Sequence, residues 1–560
     1  MALSTAFRSL KGSQHPHPKE YKKLHPTDAA EKLTVTLMLR RKPGHTKLAP
    51  EMVTTDEKGR PSRDAFATAH GAEPRELDAV VAFAKAAGLD VLQTDAARRT
   101  VIVRGSAAAI NKAFDVQLND YQYDQGVYRS HDDEVKLPAN IADYVEAVVG
   151  LTNRKVPARH FSTAKVARKR ASLDPPNTQP LTPAQVAALY NFPPGNGSGQ
   201  TIGIYEMATS DPDTGQLVPA GYATSDIAAT MAALGNLPIP NIIEVPVDGT
   251  GNSGVSDGET GLDITVAGAI APNATIAVYF AGAETQNMIH ALQMMIHPTG
   301  SEPVPSVISI SYGWGQDDPG TPGSFSDSEW AQFTQLFEDA ATNKITVLVS
   351  SGDSGAQVGS ETQAQVSYPG SEVWVTSCGG TTIGNINGSS FSEWVWNDMD
   401  PAGNKGATGG GVSARFPVPS YQSGVEVPVR NGTGQPGRGV PDIAGNASEN
   451  SGYLQVINGS QPMPVGGTSA VAPLYAGLVA RINTNNGFPA GYLNTLLYTL
   501  PTTAFRDIVG APGPANNNFG HVVGYPAGSG WDACTGLGSV NGQALQAALA
   551  SPQAAVPAVA

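Results

Sequence analysis

Ser469 lies in "PVGGTSAVAP" (464–473), between small residues and just ahead of the apolar run "AVAPLYAGLVARI". A serine in that place is either a nucleophile delivered at a helix N-terminus or a cap for the helix. As a nucleophile it needs a base, because a hydroxyl at its own pKa is weak. The histidines are a poor source. His15, His17, His25, His45, His70, His131 and His160 fall within the first 170 residues, and none of His290, His297 and His521 stands in a motif of the "HGTH" kind. The stretch "SDGETGLDITVAGAIAPNA" (256–274) offers carboxyls instead. There Asp257 can cap a helix whose buried stripe is Leu262, Val266 and Ile270, while Glu259 and Asp263, four apart, share another face. Two carboxyls side by side share a proton and titrate as a unit, so a Glu oriented by an Asp works as a base only in acid. A pair of solvated helix acids has the same spacing.

The elements that must position these residues alternate. "QTIGIYE" (200–206), "ATIAVYF" (274–280), "PSVISISYG" (305–313) and "ITVLVSSGDSG" (345–355) are β-branched, nearly continuous apolar runs, as in strands covered on both faces. Helical stretches such as "EWAQFTQLFEDAATN" (329–343) lie between them, which predicts an α/β domain with a parallel sheet and helices on both faces. Sites in such sheets gather at the carboxyl ends of the strands, where Glu206, Asp353 and the residues after Ser311 fall.

The first 170 residues are a different object. They carry 28 Lys and Arg against 20 Asp and Glu, a net of +8, whereas residues 171–560 carry a net of −22. Such asymmetry marks parts that bind each other or a charged partner. "KLTVTLMLRR", "EPRELDAVVAFAKAAG", "LDVLQTD", "RTVIVRG", "SAAAINKAF" and "DVQLNDYQY" read in order as β-α-β-β-α-β, the ferredoxin-like split unit. "KVPARHFSTAKVARKRASLDPPNTQP" (155–180) has no sustained periodicity and reads as an exposed, cleavable linker. The organisation expected is therefore an α+β prodomain over 1–154, a linker over 155–180, and an α/β domain over 181–560.

Three strings, "GETGLDITVAGA", "SSGDSGA" and "GGTSAVAP", occur in the order and approximate spacing of the sedolisins, the serine-carboxyl peptidases, and the chain resembles that family over nearly its whole length. The leader, including "HGAEPRELDAVVAFAKAAGLDV", resembles the family's propeptide. The resemblance implies a subtilisin-like fold, a Ser-Glu-Asp triad of Ser469, Glu259 and Asp263, and Asp353 as a protonated donor in the oxyanion hole. It also implies a proton network through Glu206, where Tyr312 replaces the family's tryptophan. Near the C-terminus, Asp507 and Asp532 supply carboxylates and Ile508, Gly528 and Gly530 supply carbonyls, a hard oxygen set suited to Ca2+ and matching the family's single structural calcium site. The activity implied is acid endopeptidase action on proteins or peptides, made as a self-processing zymogen whose prodomain is its inhibitor.

Other classes are disfavoured. No run of 18 apolar residues offers a membrane span. The basic leader lacks the aromatic stacking motifs of a nucleic-acid binder. Two cysteines, Cys378 and Cys534, exclude a disulfide framework. A histidine-dependent hydrolase lacks a histidine context, and an inactive binding protein on a protease scaffold has no reason to keep all four site residues. The start lacks a secretory h-region, so an extracellular location is expected from the family alone. The charge asymmetry predicts that the leader is released as carboxylates paired with it protonate, from about pH 4 to 5 downward.

Overall fold

A computed structural model of the chain describes residues 6–18, 20–44, 48–53, 60–123, 126–155, 162–163, 177–210, 217–313, 325–358, 362–399 and 406–550. Most of the expected linker, including "ARKRASLDPP", lies outside the described residues.

In the leader, β1 (Lys32–Leu39) is followed by α1 (Pro74–Ala86), β2 (Asp90–Asp95), β3 (Thr100–Ser106), α2 (Ala107–Phe114) and β4 (Val145–Val149). Its described sheet runs β2-β3-β1-β4 with every neighbour antiparallel. That is the ferredoxin-like arrangement. The last strand is not the "DVQLNDYQY" of the sequence reading, however. Asn119–Tyr123 does become a strand, but it pairs with Lys22–Pro26 and Gly126–Ser130 in a separate sheet. Val145–Val149 offers only five residues of pattern, yet its Val145, Ala147 and Val149 are all buried.

The second part is built on a long sheet. β5 (Thr201–Met207), β6 (Asn241–Pro246), β7 (Thr275–Ala281), β8 (Val307–Ile310), β9 (Thr346–Ser350), β10 (Thr376–Asn387) and β11 (Ile443–Asn446) are mutually parallel in the order β6-β7-β5-β8-β9-β10-β11. Beyond β11, Ser539–Val540 pairs parallel and Phe505–Arg506 antiparallel. Because strand side chains alternate, Ile276, Val278 and Phe280 join one core and Ala277, Tyr279 and Ala281 join the other.

The first core holds α3 (Glu259–Ile270) and α6 (Val471–Asn486). Neither is amphipathic. All twelve residues of α3 are buried, so the expectation of a stripe with a separate polar face gives way to a helix enclosed on every side. The two helices approach closely at Gly477, where a Cβ would lie 2.5 Å from the Cβ of Ile270. This matters because α3 begins at Glu259 and α6 begins just after Ser469.

The second core holds α4 (Thr285–Ile296) and α5 (Asp327–Thr342), the latter opened by a capping box of Ser326 and Glu329. Met38, Ala147 and Val149 of the leader's sheet pack into this same core. The leader's cations converge here too. Arg41 bonds Glu338 and Asp339 at 2.6 Å each, the fully buried Arg99 bonds Asp339 at 2.8 Å, and Arg98 bonds Glu302 at 2.7 Å. Arg60, Arg63 and Arg98 donate to the carbonyls of Ile296 and His297, closing the C-terminus of α4 with positive charge. The charge asymmetry read from the sequence thus resolves largely onto α5 and the end of α4.

Candidate active site

Gly258, at φ 89, turns the chain into α3, and the Asp257 carboxyl accepts from the N–H of Thr260 at 3.0 Å as an N-terminal cap. Glu259 and Asp263 follow one turn apart, both completely buried. Ser469 arrives from the other side in a 3-10 turn, Thr468–Ala470, that runs directly into α6.

The residue joining them is Ser311, which sequence reasoning used only as a landmark at the end of β8. Its hydroxyl donates to Asp263 at 2.8 and 2.9 Å and lies 3.3 Å from the carbonyl of Ser469, while its own carbonyl accepts from the Ser469 hydroxyl at 3.3 Å. The signal available was its position at the carboxyl end of a central parallel strand.

Burial pushes the Glu259 carboxyl well above its ordinary range, and the charges of Asp263 and Glu206 push it further, against a downward pull from the Ser469 hydroxyl. Neither Glu259 oxygen accepts a well-formed hydrogen bond, a looseness common before substrate arrives. Burial raises Asp263 as well, with Ser311 pulling it down. Glu206 sits at the end of β5, raised by burial and by the charges of Asp263 and Asp257. Its Oε2 accepts from the Tyr312 hydroxyl at 2.6 Å and from Thr260 at 3.0 Å. Tyr312 is therefore a partner of Glu206 in this chain.

Asp353 approaches from the loop after β9. Its Oδ1 accepts from the N–H and the hydroxyl of Thr468, at 2.8 and 2.7 Å, whereas Oδ2 is shielded and has no partner. Burial pushes this carboxyl up to about 8, so below that value Oδ2 carries a proton. A carboxyl held neutral beside the first turn of α6 is a hydrogen-bond donor, which is what a developing oxyanion requires.

Two of the three histidines that follow the leader are engaged away from the serine. His290 bonds Thr36 and Asp248, and His297 bonds Asp339. An edge strand borders the site: β12 (Met463–Gly466), ending just before Ser469, pairs with Tyr453–Gln455 on one side. On its other side, Ser162–Thr163 of the linker runs antiparallel to it, Ser162 opposite Gly466 and Thr163 opposite Val465.

Residues 19–154 match the Pro-kumamolisin activation domain, and residues 226–526 match the subtilase family. Kumamolisin of a Bacillus species is 40% identical over 95% of this chain and 94% of its own length. The chain belongs to the sedolisin family of serine-carboxyl peptidases. Tripeptidyl-peptidase sed5 of Aspergillus fumigatus is 31% identical, covering 95% of this chain and 96% of that protein. Among solved structures, Pseudomonas sedolisin, a serine-carboxyl proteinase complexed with two molecules of pseudo-iodotyrostatin, is 28% identical with a TM-score of 0.53, over 66% of this chain and 98% of that one. This sedolisin is thus a serine peptidase on a subtilisin-like fold, preceded by an activation domain.

The set Asp507, Ile508, Gly528, Gly530 and Asp532 gathers in a loop region apart from this site. Asp507 accepts from the N–H of Gly530 at 2.9 Å, and Asp532 accepts from the N–H groups of Gly528, Cys534 and Thr535. The carbonyls of Ile508, Gly528 and Gly530 accept no hydrogen bond among the described residues. Burial pushes Asp532 up to about 6. Two carboxyls and three unengaged carbonyls fit a hard cation. Cys378 and Cys534 are both free and buried.

Tyr312→Phe removes the shorter of the two hydrogen bonds to Glu206 and leaves a buried carboxyl short of a donor. A loss of about 1–3 kcal/mol in folding stability is expected by urea denaturation of the Ser469→Ala protein. Unaltered stability would mean that the phenol is a spacer.

Proposed function

We propose that this sedolisin is an acid-active endopeptidase in which Ser469, Glu259 and Asp263 form the catalytic triad. The observation that supports it most is the buried row of Ser469, Glu259 and Asp263, with no histidine bonded to the serine among the described residues. The Ser469 hydroxyl attacks the scissile carbonyl while Glu259 accepts its proton. Glu259 then returns the proton to the leaving amine, giving an acyl-enzyme that water hydrolyses by the reverse sequence. Asp263, fixed by Ser311, orients Glu259 and shares its proton. The neutral Asp353 and the Ser469 backbone N–H stabilise the oxyanion.

Substrates are polypeptides. A chain laid antiparallel on β12, as Ser162–Thr163 is, presents a carbonyl near Ser469 by strand addition. The linker would then be cut by the enzyme itself, at a point among the residues outside the description. Secretion is the location that fits an acid-working enzyme of this family. One Ca2+ held by Asp507, Asp532 and the carbonyls of Ile508, Gly528 and Gly530 would tie the C-terminal loops together, away from the chemistry.

The prodomain is an intramolecular inhibitor, but its release follows a different group from the one the charge count pointed to. Although burial raises Asp339, Arg99, Arg41 and His297 hold its carboxyl far below the carboxylate range. Its contribution to the interface would fade only as pH fell through that depressed value, so it persists at pH 4 to 5. His297 behaves oppositely. Burial lowers it, Asp339 raises it, and the leader's Arg99 and Arg63 lower it again. Departure of the leader removes Arg99, Arg63 and the packed ring of Phe66 but leaves Asp339, so the free enzyme binds the proton better. Falling pH therefore favours release.

Three outcomes test this. Ser469→Ala and Glu259→Ala are each expected to lower kcat by several orders of magnitude at the acid optimum, read on a peptide cleaved internally. Full activity in Glu259→Ala would overturn the triad. Saturating Ca2+ is expected to raise Tm, folding being stabilised by about 2.7 kcal/mol at a hundredfold excess over Kd, and Asp532→Ala to abolish that rise; a Tm indifferent to chelator and Ca2+ would overturn the ion. In full-length Ser469→Ala protein nicked in the linker, the leader is expected to stay bound at neutral pH and dissociate as the pH is lowered, with His297→Gln moving the midpoint to lower pH. An identical midpoint in His297→Gln would overturn the histidine's role.

A further inference from the structure

The two halves of the proposed oxyanion hole come from distant parts of the chain. Asp353 is zipped to residues 406–409: the N–H of Ala407 donates to the Asp353 carbonyl at 2.9 Å, Gly355 to Ala407 at 3.0 Å, and Gly409 to Gly352 at 2.6 Å. That ladder extends outward to 396–398, through Thr408 to the Trp396 carbonyl at 2.9 Å and Asp398 to the Gly406 carbonyl at 3.0 Å. Ser469 is anchored differently. The N–H of Gly467 donates to the carbonyl of Ala447 at 2.7 Å, which ties the nucleophile's turn to the loop Ala447, Ser448 and Glu449 after β11.

Thr468 joins these assemblies directly, through its bonds to Asp353 and to the N–H of Gly352, and a second side chain crosses between them further out. The Asp398 carboxyl accepts from the buried Ser448 hydroxyl at 2.5 Å and from the Trp396 indole N–H at 3.1 Å. Ser448 is itself fixed, since its oxygen accepts from the N–H of Asn450 at 3.1 Å. Glu449, only 3% exposed, lies against Asp398 and acts on Asp353 as well. We infer that Asp398 is a positioning residue for the reaction: through Ser448 and Glu449 it straps the segment carrying Asp353 to the segment carrying Ser469. This rests on the reading of Asp353 and Ser469 as the oxyanion donors.

The strap is sensitive to pH. Among the described residues Glu449 is the charged group acting on Asp398, which also meets the Trp396 indole, the Ser448 hydroxyl and the backbone of Gly406. Burial and the charge of Glu449 push Asp398 up to about 7. Below that value Asp398 holds a proton and can donate to Glu449, while above it the buried Asp398 carboxylate is repelled by Glu449 across the strap. Asparagine at 398 keeps an acceptor for Ser448 and a donor for Glu449 without the titration.

The test uses the full-length chain matured in acid, with kcat, KM and a peptide-aldehyde inhibitor measured from pH 3 to 8. The aldehyde's hemiacetal oxygen occupies the oxyanion hole, so it reports the hole directly. Asp398→Ala is expected to lower kcat and aldehyde affinity roughly ten- to hundredfold with KM changed little. Ser448→Ala should lower them in the same direction by less, and it keeps the proposal testable if Asp398→Ala fails to fold. Asp398→Asn should retain most of the activity at the optimum and move the alkaline limit upward. Wild-type kcat and aldehyde affinity in Ser448→Ala together with a wild-type pH profile in Asp398→Asn would overturn the strap. Asp353→Asn is the control for the underlying reading: aldehyde affinity independent of Asp353 removes the oxyanion assignment, whereas dependence on Asp353 with indifference to 398 and 448 removes the strap alone.

Discussion

Burying several carboxyls against one another, without a histidine to take up the proton, is the constraint on which the rest of this molecule depends. Glu259, Asp263 and Glu206 are each fully enclosed, and burial raises all three. Such groups are tolerated where protons are shared and hydroxyl donors reach some of the oxygens, as they do on Asp263 and Glu206, while neither Glu259 oxygen has a well-formed bond. Ser311, Tyr312 and Thr260 are those donors, and they stand at the ends of strand or helix where the backbone fixes them. Because these carboxyls bind protons more tightly folded than unfolded, their contribution to stability is complete below about pH 4 and is lost as pH rises. The arrangement that would supply the proposed acid chemistry is the one that stabilises the fold in acid.

That arrangement dictates the packing around it. A helix that carries two acids into the interior cannot expose an opposite polar face, so α3 is enclosed by β5, β7, α6 and the nucleophile's turn. Gly477 lets α6 press onto Ile270, and Gly258 allows the sharp entry that leaves Asp257 to cap the helix. Asp353 is handled by the opposite device. It is not paired with another acid but is given two donors on one oxygen and none on the other, which fixes where its proton sits.

Much of this was legible in the residues, and the failures are instructive. The parallel strands announced themselves because strands buried on both faces are written as β-branched runs, and β5, β7, β8 and β9 fall within one to three residues of their expected starts. The four residues Ser469, Glu259, Asp263 and Asp353 were named by their strings, and the fold brings them together. Burial was not legible: an E-x-x-x-D spacing is the same on a solvated helix as on an enclosed one, and only tertiary packing distinguishes them. Ser311 was missed because a serine after a strand has no spacing to mark it. The leader's last strand was misplaced because 119–123 does have strand character and pairs locally, while Val145–Val149 is defined by the register it takes against Thr36–Leu39, far away in sequence.

The leader's position separates two tasks that the charge count had merged. Its sheet and its arginines seat on α4 and α5, in the core on the face of the sheet opposite α3 and α6. None of those contacts reaches Ser469. What reaches the site is the short strand Ser162–Thr163, laid on β12 where a substrate would add. Anchor and plug are thus connected only through the chain that leaves the leader near Lys155, which bridges to Glu284. A strand tethered to a docked domain has its occupancy raised by the effective concentration that the anchored domain provides. Weakening the remote interface lowers that concentration without altering a single contact at the serine, and cutting the linker removes it at a stroke. Buried Arg99 and the depressed Asp339 keep this part of the anchor paired in acid, so on the reading proposed above it is protonation of His297 and severance of the tether that free the site.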